Sequence, residues 1–229
     1  MIVCHSRKFI FIKTQKTAGT SMEIALSELC NEGDVITPIT KSDENIRQAL
    51  GFLGPQNFSL ALSKYSKSDL LDLVFSAKLK RFYNHISCDE VKSIIGKEVY
   101  NSYYKFCFER NPYDKAISLF YHEGGVKKWG AIENFICSGG LDIVRGYDQY
   151  TIKKVLAVDD VFRYEEMAQA LQSISSSLGL GKCLSLPEKK AKSEFRKDKR
   201  HYSEVLSSKE KELIDVIWAR EKKLMSYEF

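Results

Sequence analysis

The chain has no apolar run approaching the roughly 20 residues of a membrane-spanning helix, and no signal-type apolar stretch precedes its first strand pattern. No integral membrane segment is expected, and the expected setting is cytoplasmic. The six cysteines, Cys4, Cys30, Cys88, Cys107, Cys137 and Cys183, form no Cys-x-x-Cys pair and show no metal-ligand spacing. Four histidines are too few and too dispersed for an obvious metal centre. Free buried thiols are therefore expected rather than a disulfide framework. The Walker pattern is also missing, because the lysine of Lys16-Thr17-Ala18-Gly19 precedes its glycine instead of following it. That removes most of the support for an ordinary P-loop kinase. Internal repeats and low-complexity tracts are absent too. A net charge of +5 is too small to mark a nucleic-acid binder, and suggests an anionic ligand or acceptor.

What the 229 residues do contain is one ordinary core's worth of chain, 44% hydrophobic and 28% charged, read as a single domain over residues 1–229. Its organising stretch is Ile10 to Ser21. Phe9 to Ile12 is β-branched and aromatic, long enough for a buried strand and too short for a helix. Beyond a hydroxyl-rich turn, Met22, Ile24, Ala25, Leu26 and Leu29 fall at helical spacing. A phosphate at this junction would meet free N–H groups at the positive end of the helix dipole. Gly19 allows close approach, Thr17, Thr20 and Ser21 offer hydroxyls, and Lys16 brings a point charge.

Further along, a short helix is expected around Glu44 to Leu50. Leu70, Leu71, Val74 and Leu79 form an apolar stripe expected to lie across the core or wall an acceptor cleft. An aromatic stretch, Arg81 to Tyr83, leads to His85 at a strand-to-helix crossover, where α/β enzymes place reactive groups. Ser87 and Glu90 have capping-box spacing, so a helix runs from about Cys88 to Ile95 and stops at Gly96. Tyr103 to Glu109 reads as a central strand, with Asn111 capping a helix that Pro112 opens. Arg110 at the strand end and Ser118 on that helix can grip one phosphate from two sides. Ile132 to Cys137 is a short helix, Val161 to Tyr164 a third strand, Met167 to Leu178 an amphipathic helix, and Ser207 to Met225 a final one. Pro187 to Tyr202 is dense in Lys and Arg, either a solvated segment or a basic flap over an anion. Alternating strands and helices predict an α/β fold with a central parallel β-sheet flanked by helices.

Together these stretches resemble the sulfotransferases that use 3′-phosphoadenosine 5′-phosphosulfate (PAPS), in particular the carbohydrate branch that includes heparan sulfate 2-O-sulfotransferase. The resemblance rests on Lys16 to Ser21, on Arg110 to Ser118, and on Asn84 to Ser87 between them. It extends to Phe162 to Met167, Tyr202-Ser203 and Tyr227 to Phe229. It implies a P-loop-like sulfotransferase fold. Lys16 then contacts the sulfuryl group, with Thr17, Ala18, Gly19, Thr20 and Ser21 around the 5′-phosphate. Arg110 and Ser118 bind the 3′-phosphate, and His85 is the general base toward an acceptor hydroxyl. The resemblance further implies Tyr164 near the adenine, and Arg196, Lys197, Lys199 or Arg200 as a last 3′-phosphate contact, although the Arg-Lys-Gly of the cytosolic enzymes is not present. No metal is implied. The implied acceptor is a carbohydrate or glycolipid, the mild positive charge suits an acidic saccharide, and a precursor of a bacterial capsule, lipopolysaccharide or signalling oligosaccharide is the expectation if the chain is complete.

The chemistry suits these residue types. Sulfuryl transfer needs an in-line nucleophile and positive charge at the leaving oxygen, and a histidine near its ordinary pKa of about 6.5 is a serviceable base. Two other readings stand beside it. A nucleoside or small-molecule kinase with an atypical phosphate loop would need Mg²⁺ carboxylates, for which Asp159 and Asp160 are the candidates. A nonenzymatic anion- or nucleic-acid-binding module would rest on the basic tract alone.

Overall fold

The computed structural model describes residues 1–60, 62, 65, 67–76, 79–188, 198 and 200–229. A five-stranded sheet forms its centre, in the order β3-β1-β2-β4-β7. The members are β1 (Ile2–Cys4), β2 (Phe9–Phe11), β3 (Val35–Ile36), β4 (Tyr104–Glu109) and β7 (Asp160–Arg163). Strands β2, β4 and β7 run parallel, with Phe11 beside Phe106 and Glu109 beside Arg163. These are the three strands that the sequence predicts. Strand β1 was not anticipated, and it runs antiparallel to both neighbours. The four exposed residues between Cys4 and Phe9 are too few for a crossover, so the chain folds back as a hairpin.

Helices cover the sheet. They are α1 (Gly19–Ser27), α2 (Lys41–Ala49), α3 (Lys67–Ser76), α4 (Cys88–Ile95), α5 (Lys97–Ser102), α6 (Pro112–His122), α7 (Gly125–Trp129), α8 (Ile132–Cys137), α9 (Met167–Ser177), α10 (Tyr202–Val205), α11 (Ser208–Ile217) and α12 (Ala219–Met225). Between α8 and β7 a small antiparallel ribbon pairs β5 (Thr151–Ile152) with β6 (Val155–Leu156). Phe9, Phe11, Phe106 and Phe108 pack with Met22, Leu26 and Ile174 on one face of the sheet, and Ile10, Ile12, Cys107, Phe82, Val91 and Tyr150 fill the other. A third cluster joins α6, α8 and α11 around Tyr113, Phe135 and Trp218.

Local signals set several boundaries. The Ser87–Glu90 capping box starts α4, and the Asn111 side chain accepts from the N–H groups of Tyr113 and Asp114 to start α6. Elsewhere the structure departs from expectation. The final helix breaks at Trp218, whose backbone is non-helical while its ring is buried, so α11 and α12 are separate. Arg81 forms only an isolated bridge to Ser59, which leaves His85 in a turn rather than at the end of a sheet strand. The stripe on α3 neither crosses the core nor packs: Leu71, Val74 and Leu79 are 57%, 77% and 60% exposed. All six cysteines are free thiols, four buried, with Cys137 and Cys183 exposed. Among the described residues no helix is long and apolar enough to cross a membrane.

Candidate active site

The loop from Lys13 to Ala18 leaves β2 at the carboxyl end of the parallel strands and delivers the chain to α1. Thr14 pins it in place, since its hydroxyl donates to the Phe108 carbonyl of β4 and stands 2.9 Å from the Thr17 hydroxyl. Lys16 and Ala18 both adopt left-handed backbone, with φ of 64° and 56°. Side-chain-bearing residues avoid that region by roughly 1–2 kcal/mol each, and such strain concentrates at binding loops. Left-handed residues set beside other backbone conformations build the nests of N–H groups that hold anions, and Lys16 and Ala18 flank Thr17 in that way. No side chain caps α1 and no acidic residue stands in its first turn, although Gly19, Thr20 and Ser21 are all buried. A buried, uncapped helix start leaves N–H groups for a ligand. The hydroxyls of Thr20 and Ser21 make no hydrogen bond among the described residues, so they too remain available. Thr17 is different: its hydroxyl is committed to Thr14.

Beneath the loop lies a buried ionic cluster whose members Lys13 and Glu23 the sequence reading did not single out. Lys13 donates to Glu23 at 2.7 Å and to Asn84 at 3.0 Å, and Glu23 also meets the Met1 amino group at 3.0 Å and Arg47 at 3.7 Å. Burial alone would raise the Glu23 pKa, yet the Met1 amino group, Lys13 and Arg47 hold it below its ordinary value; burial in turn lowers the Met1 amino pKa to about 5, so Lys13 and Arg47 are the partners that stay charged at neutral pH. The available signals were a lysine closing an apolar strand and a lone acid in apolar α1. Gly19 serves this cluster. Its φ is not left-handed, and a Cβ there would sit 2.7 Å from Cγ of Lys13 and 3.3 Å from the Thr14 carbonyl. Gly19→Ala should therefore displace the buried Lys13 stem and destabilise the chain by roughly 1–3 kcal/mol, measured by urea unfolding; unchanged stability would mean that Lys13 moves aside freely.

His85 and Arg110 reach this loop from opposite parts of the sequence. His85, in a left-handed turn with φ 63°, has Nδ1 2.8 Å from the Lys13 carbonyl oxygen. A carbonyl only accepts, so Nδ1 carries the hydrogen and Nε2 keeps its lone pair. Gln149 donates to the same carbonyl at 2.7 Å, a second support that the sequence reading missed. Burial lowers the His85 pKa to about 4, against the bond to Lys13 that raises it. The expected base is thus weaker than an ordinary histidine, and stays neutral over a wider range. Between pH 6.5 and about 4 the unfolded chain binds the proton that the folded chain refuses. This contribution, roughly 3 kcal/mol, is fully present above pH 6.5 and is lost as pH falls through 4. Ring titration by NMR should find His85 neutral at pH 5.5; a midpoint near 6.5 would contradict the burial.

Arg110 stands at the end of β4. Its Nη1 donates to the Lys16 carbonyl at 3.0 Å, its Nε and Nη2 fork onto Asp114, and its guanidinium lies 4.4 Å from the Tyr164 ring centre. Tyr164 is thereby brought to the site. Ser118, half-buried on α6, makes no hydrogen bond among the described residues. The C-terminal aromatics pack back on the body: the Tyr227 hydroxyl donates to Glu165 at 2.8 Å, Phe229 meets Tyr113 edge-on, and Tyr202 stacks on Tyr113. Arg196, Lys197 and Lys199 lie outside the described residues, and Arg200 is exposed and forked onto Asp198. Asp159 and Asp160 sit at the opening end of β7, level with Lys105 and Phe106, where Asp159 pairs with Lys105 and Asp160 accepts from Tyr104. The loop lies at the other end of these strands, so Asp159 and Asp160 are not beside it.

A groove of about 630 Å³ adjoins the site, lined among others by Ser87, Arg145, Asp148, Lys154, Trp218 and Arg220. Gln15 ties its wall to the loop, donating to the Ile143 carbonyl at 3.3 Å and accepting from the Arg145 N–H at 3.2 Å.

The architecture is thus a mixed α/β sheet with an anion-receptive loop at the carboxyl ends of its parallel strands. No family model matches the chain. A protein of Archaeoglobus fulgidus described as uncharacterized is 28% identical over 96 residues, 39% of this chain and 79% of that one. A solved sulfotransferase from Alicyclobacillus acidocaldarius is similar in shape at a TM-score of 0.43 and 13% identity, over 97% of this chain and 96% of that one.

Proposed function

We propose that the chain is a PAPS-dependent sulfotransferase that moves a sulfuryl group to a hydroxyl of a carbohydrate or glycoconjugate. One observation carries this reading: His85 and Arg110, 72 and 94 positions from their partners, both bond to carbonyls of the Lys13–Lys16 turn. Base, charge and phosphate loop thereby converge without any metal ligand being invoked. In this reading Nε2 of His85 takes the acceptor hydroxyl proton as that oxygen attacks sulfur, and the S–O bond to the 5′-phosphate breaks. Lys16 and the N–H groups opening α1 meet the charge that develops on the leaving phosphate. Arg110 and Ser118 bind the 3′-phosphate, with Tyr164 packed under the guanidinium. The groove beside Ser87 takes the acceptor, and its mixed charges suit a polyhydroxylated partner bearing an acidic group.

Arg110→Ala should weaken binding of 3′-phosphoadenosine 5′-phosphate about 10–100-fold, as expected for a hydrogen bond between charged groups. Ser118→Ala should weaken it by up to about tenfold. Calorimetry on folded variants gives both numbers, and an unchanged dissociation constant would remove that residue from the site. Transfer itself is tested by incubating labelled PAPS with neutral and acidic oligosaccharides in the presence of a chelator. Label in the saccharide supports the reading, whereas transfer to none of them with donor bound intact points to another acceptor class.

A further inference from the structure

At the far end of α1 from the loop, three side chains from separate elements share one buried space. Cys4 closes β1, Cys30 follows the carboxyl end of α1, and Asp34 precedes β3; all three are buried. Their two Sγ atoms and one carboxylate oxygen all lie within 4.8 Å of one another, with Cys4 Sγ 3.3 Å from Oδ2 of Asp34. In a tetrahedral thiolate–carboxylate zinc site the ligand atoms stand roughly 3.5–3.8 Å apart. The observed spacing needs only small side-chain rotations to match.

Asp34 is held ready for that role. The N–H groups of His5 and Ser6 donate to its Oδ1 at 2.6 and 3.0 Å, and that of Asn31 donates to Oδ2 at 2.7 Å. Three backbone bonds fix the carboxylate as outer partners fix a metal ligand, with Oδ2 turned toward the Cys4 thiol that donates to it. The hydroxyl of Ser6 stands 2.7 Å from Oδ2 and 3.3 Å from Cys4 Sγ, on the one side that opens to solvent. It marks the fourth corner, to be filled by Ser6 or by a water. The sequence hid the set because 25 residues separate the two cysteines.

We propose that Cys4, Cys30 and Asp34 hold a thiophilic divalent cation, Zn²⁺ in the first instance. On binding, the two thiols release their protons to solvent and two metal–sulfur bonds form, with no change of oxidation state. The cation would clip the β1–β2 turn to the end of α1, the length of a nine-residue helix, roughly 13 Å, from the proposed reaction centre. Its role is structural, and it stands whether or not the transferase reading does.

The test is titration of the reduced, metal-stripped full chain with Co²⁺. A thiolate-to-cobalt charge-transfer band should saturate at about one equivalent, and Zn²⁺ should bleach it. Cys4→Ser and Cys30→Ser should each weaken cobalt binding by at least about tenfold, while the doubly substituted Cys137→Ser/Cys183→Ser chain should titrate like the parent. If the buried substitutions prevent folding, the parent and the surface double variant still decide. No saturating band in the folded parent, or a band that vanishes with the two exposed cysteines, overturns the proposal. So does a Cys4–Cys30 disulfide in the protein as isolated.

Discussion

His85→Ala should lower turnover by roughly 10²–10⁴, the range over which a positioned base acts, and should leave the affinity for 3′-phosphoadenosine 5′-phosphate within about twofold of the parent. Two features of the structure lead to this separation. The ring is tied by Nδ1 to the Lys13 carbonyl, which frees Nε2 for a proton, and Lys13 keeps a second donor, Gln149, when the imidazole is removed. The loop therefore retains a hydrogen bond at that carbonyl while the base is lost. The pH profile gives a second readout. With burial lowering the His85 pKa to about 4, the acid limb of kcat/KM in the parent should fall near pH 4 and the rate should be level through neutrality. Calorimetry and single-turnover kinetics on the variant check the first statement. A collapse of nucleotide affinity would show that His85 holds the loop rather than the proton.

Glu23→Ala should be among the most destabilising single substitutions in the chain. The carboxylate is fully buried and is faced by Lys13, Arg47 and the Met1 amino group. Arg47 already has Nε and Nη2 buried without a hydrogen-bond partner among the described residues. Removing the shared anion leaves buried cations uncompensated, at a cost of about 3–5 kcal/mol. In a protein of this size that corresponds to a fall of roughly 10 °C in Tm. Nucleotide affinity should fall with it, because Lys13 would turn toward solvent beneath the loop. The double variant Glu23→Leu/Lys13→Met also removes one of the stranded cations and should recover part of the lost stability, with Arg47 and the Met1 amino group still facing the site. A Tm within about 2 °C of the parent for Glu23→Ala would mean that water or Glu44 takes over the pairing.

What could be read from the sequence was governed by local chemistry. The Ser87–Glu90 box and the Asn111-Pro112 start act within a few residues, and α4 and α6 begin where those signals place them. The parallel strands are equally legible, being short apolar runs bounded by turn residues. The antiparallel β1 was missed because Ile2–Cys4 is only three residues long and its direction follows from a four-residue turn. His85 was expected at the end of a strand that proved to be a single bridge. Its lowered pKa depends on what packs around it, which no local pattern encodes. The Lys13–Glu23 cluster and the Cys4–Cys30–Asp34 set are long-range in the same sense, and each becomes visible only once β1, α1 and the loop before β3 are brought together. The α3 stripe shows the converse, a helical period without a partner to bury it.

The most direct test of the central claim is isothermal calorimetry of the purified chain with 3′-phosphoadenosine 5′-phosphate and no added metal, beside ATP with Mg²⁺. Binding of the first, with none of the second at the same concentrations, is the predicted result. Preference for ATP with Mg²⁺ would contradict the account and return the phosphate loop to a kinase.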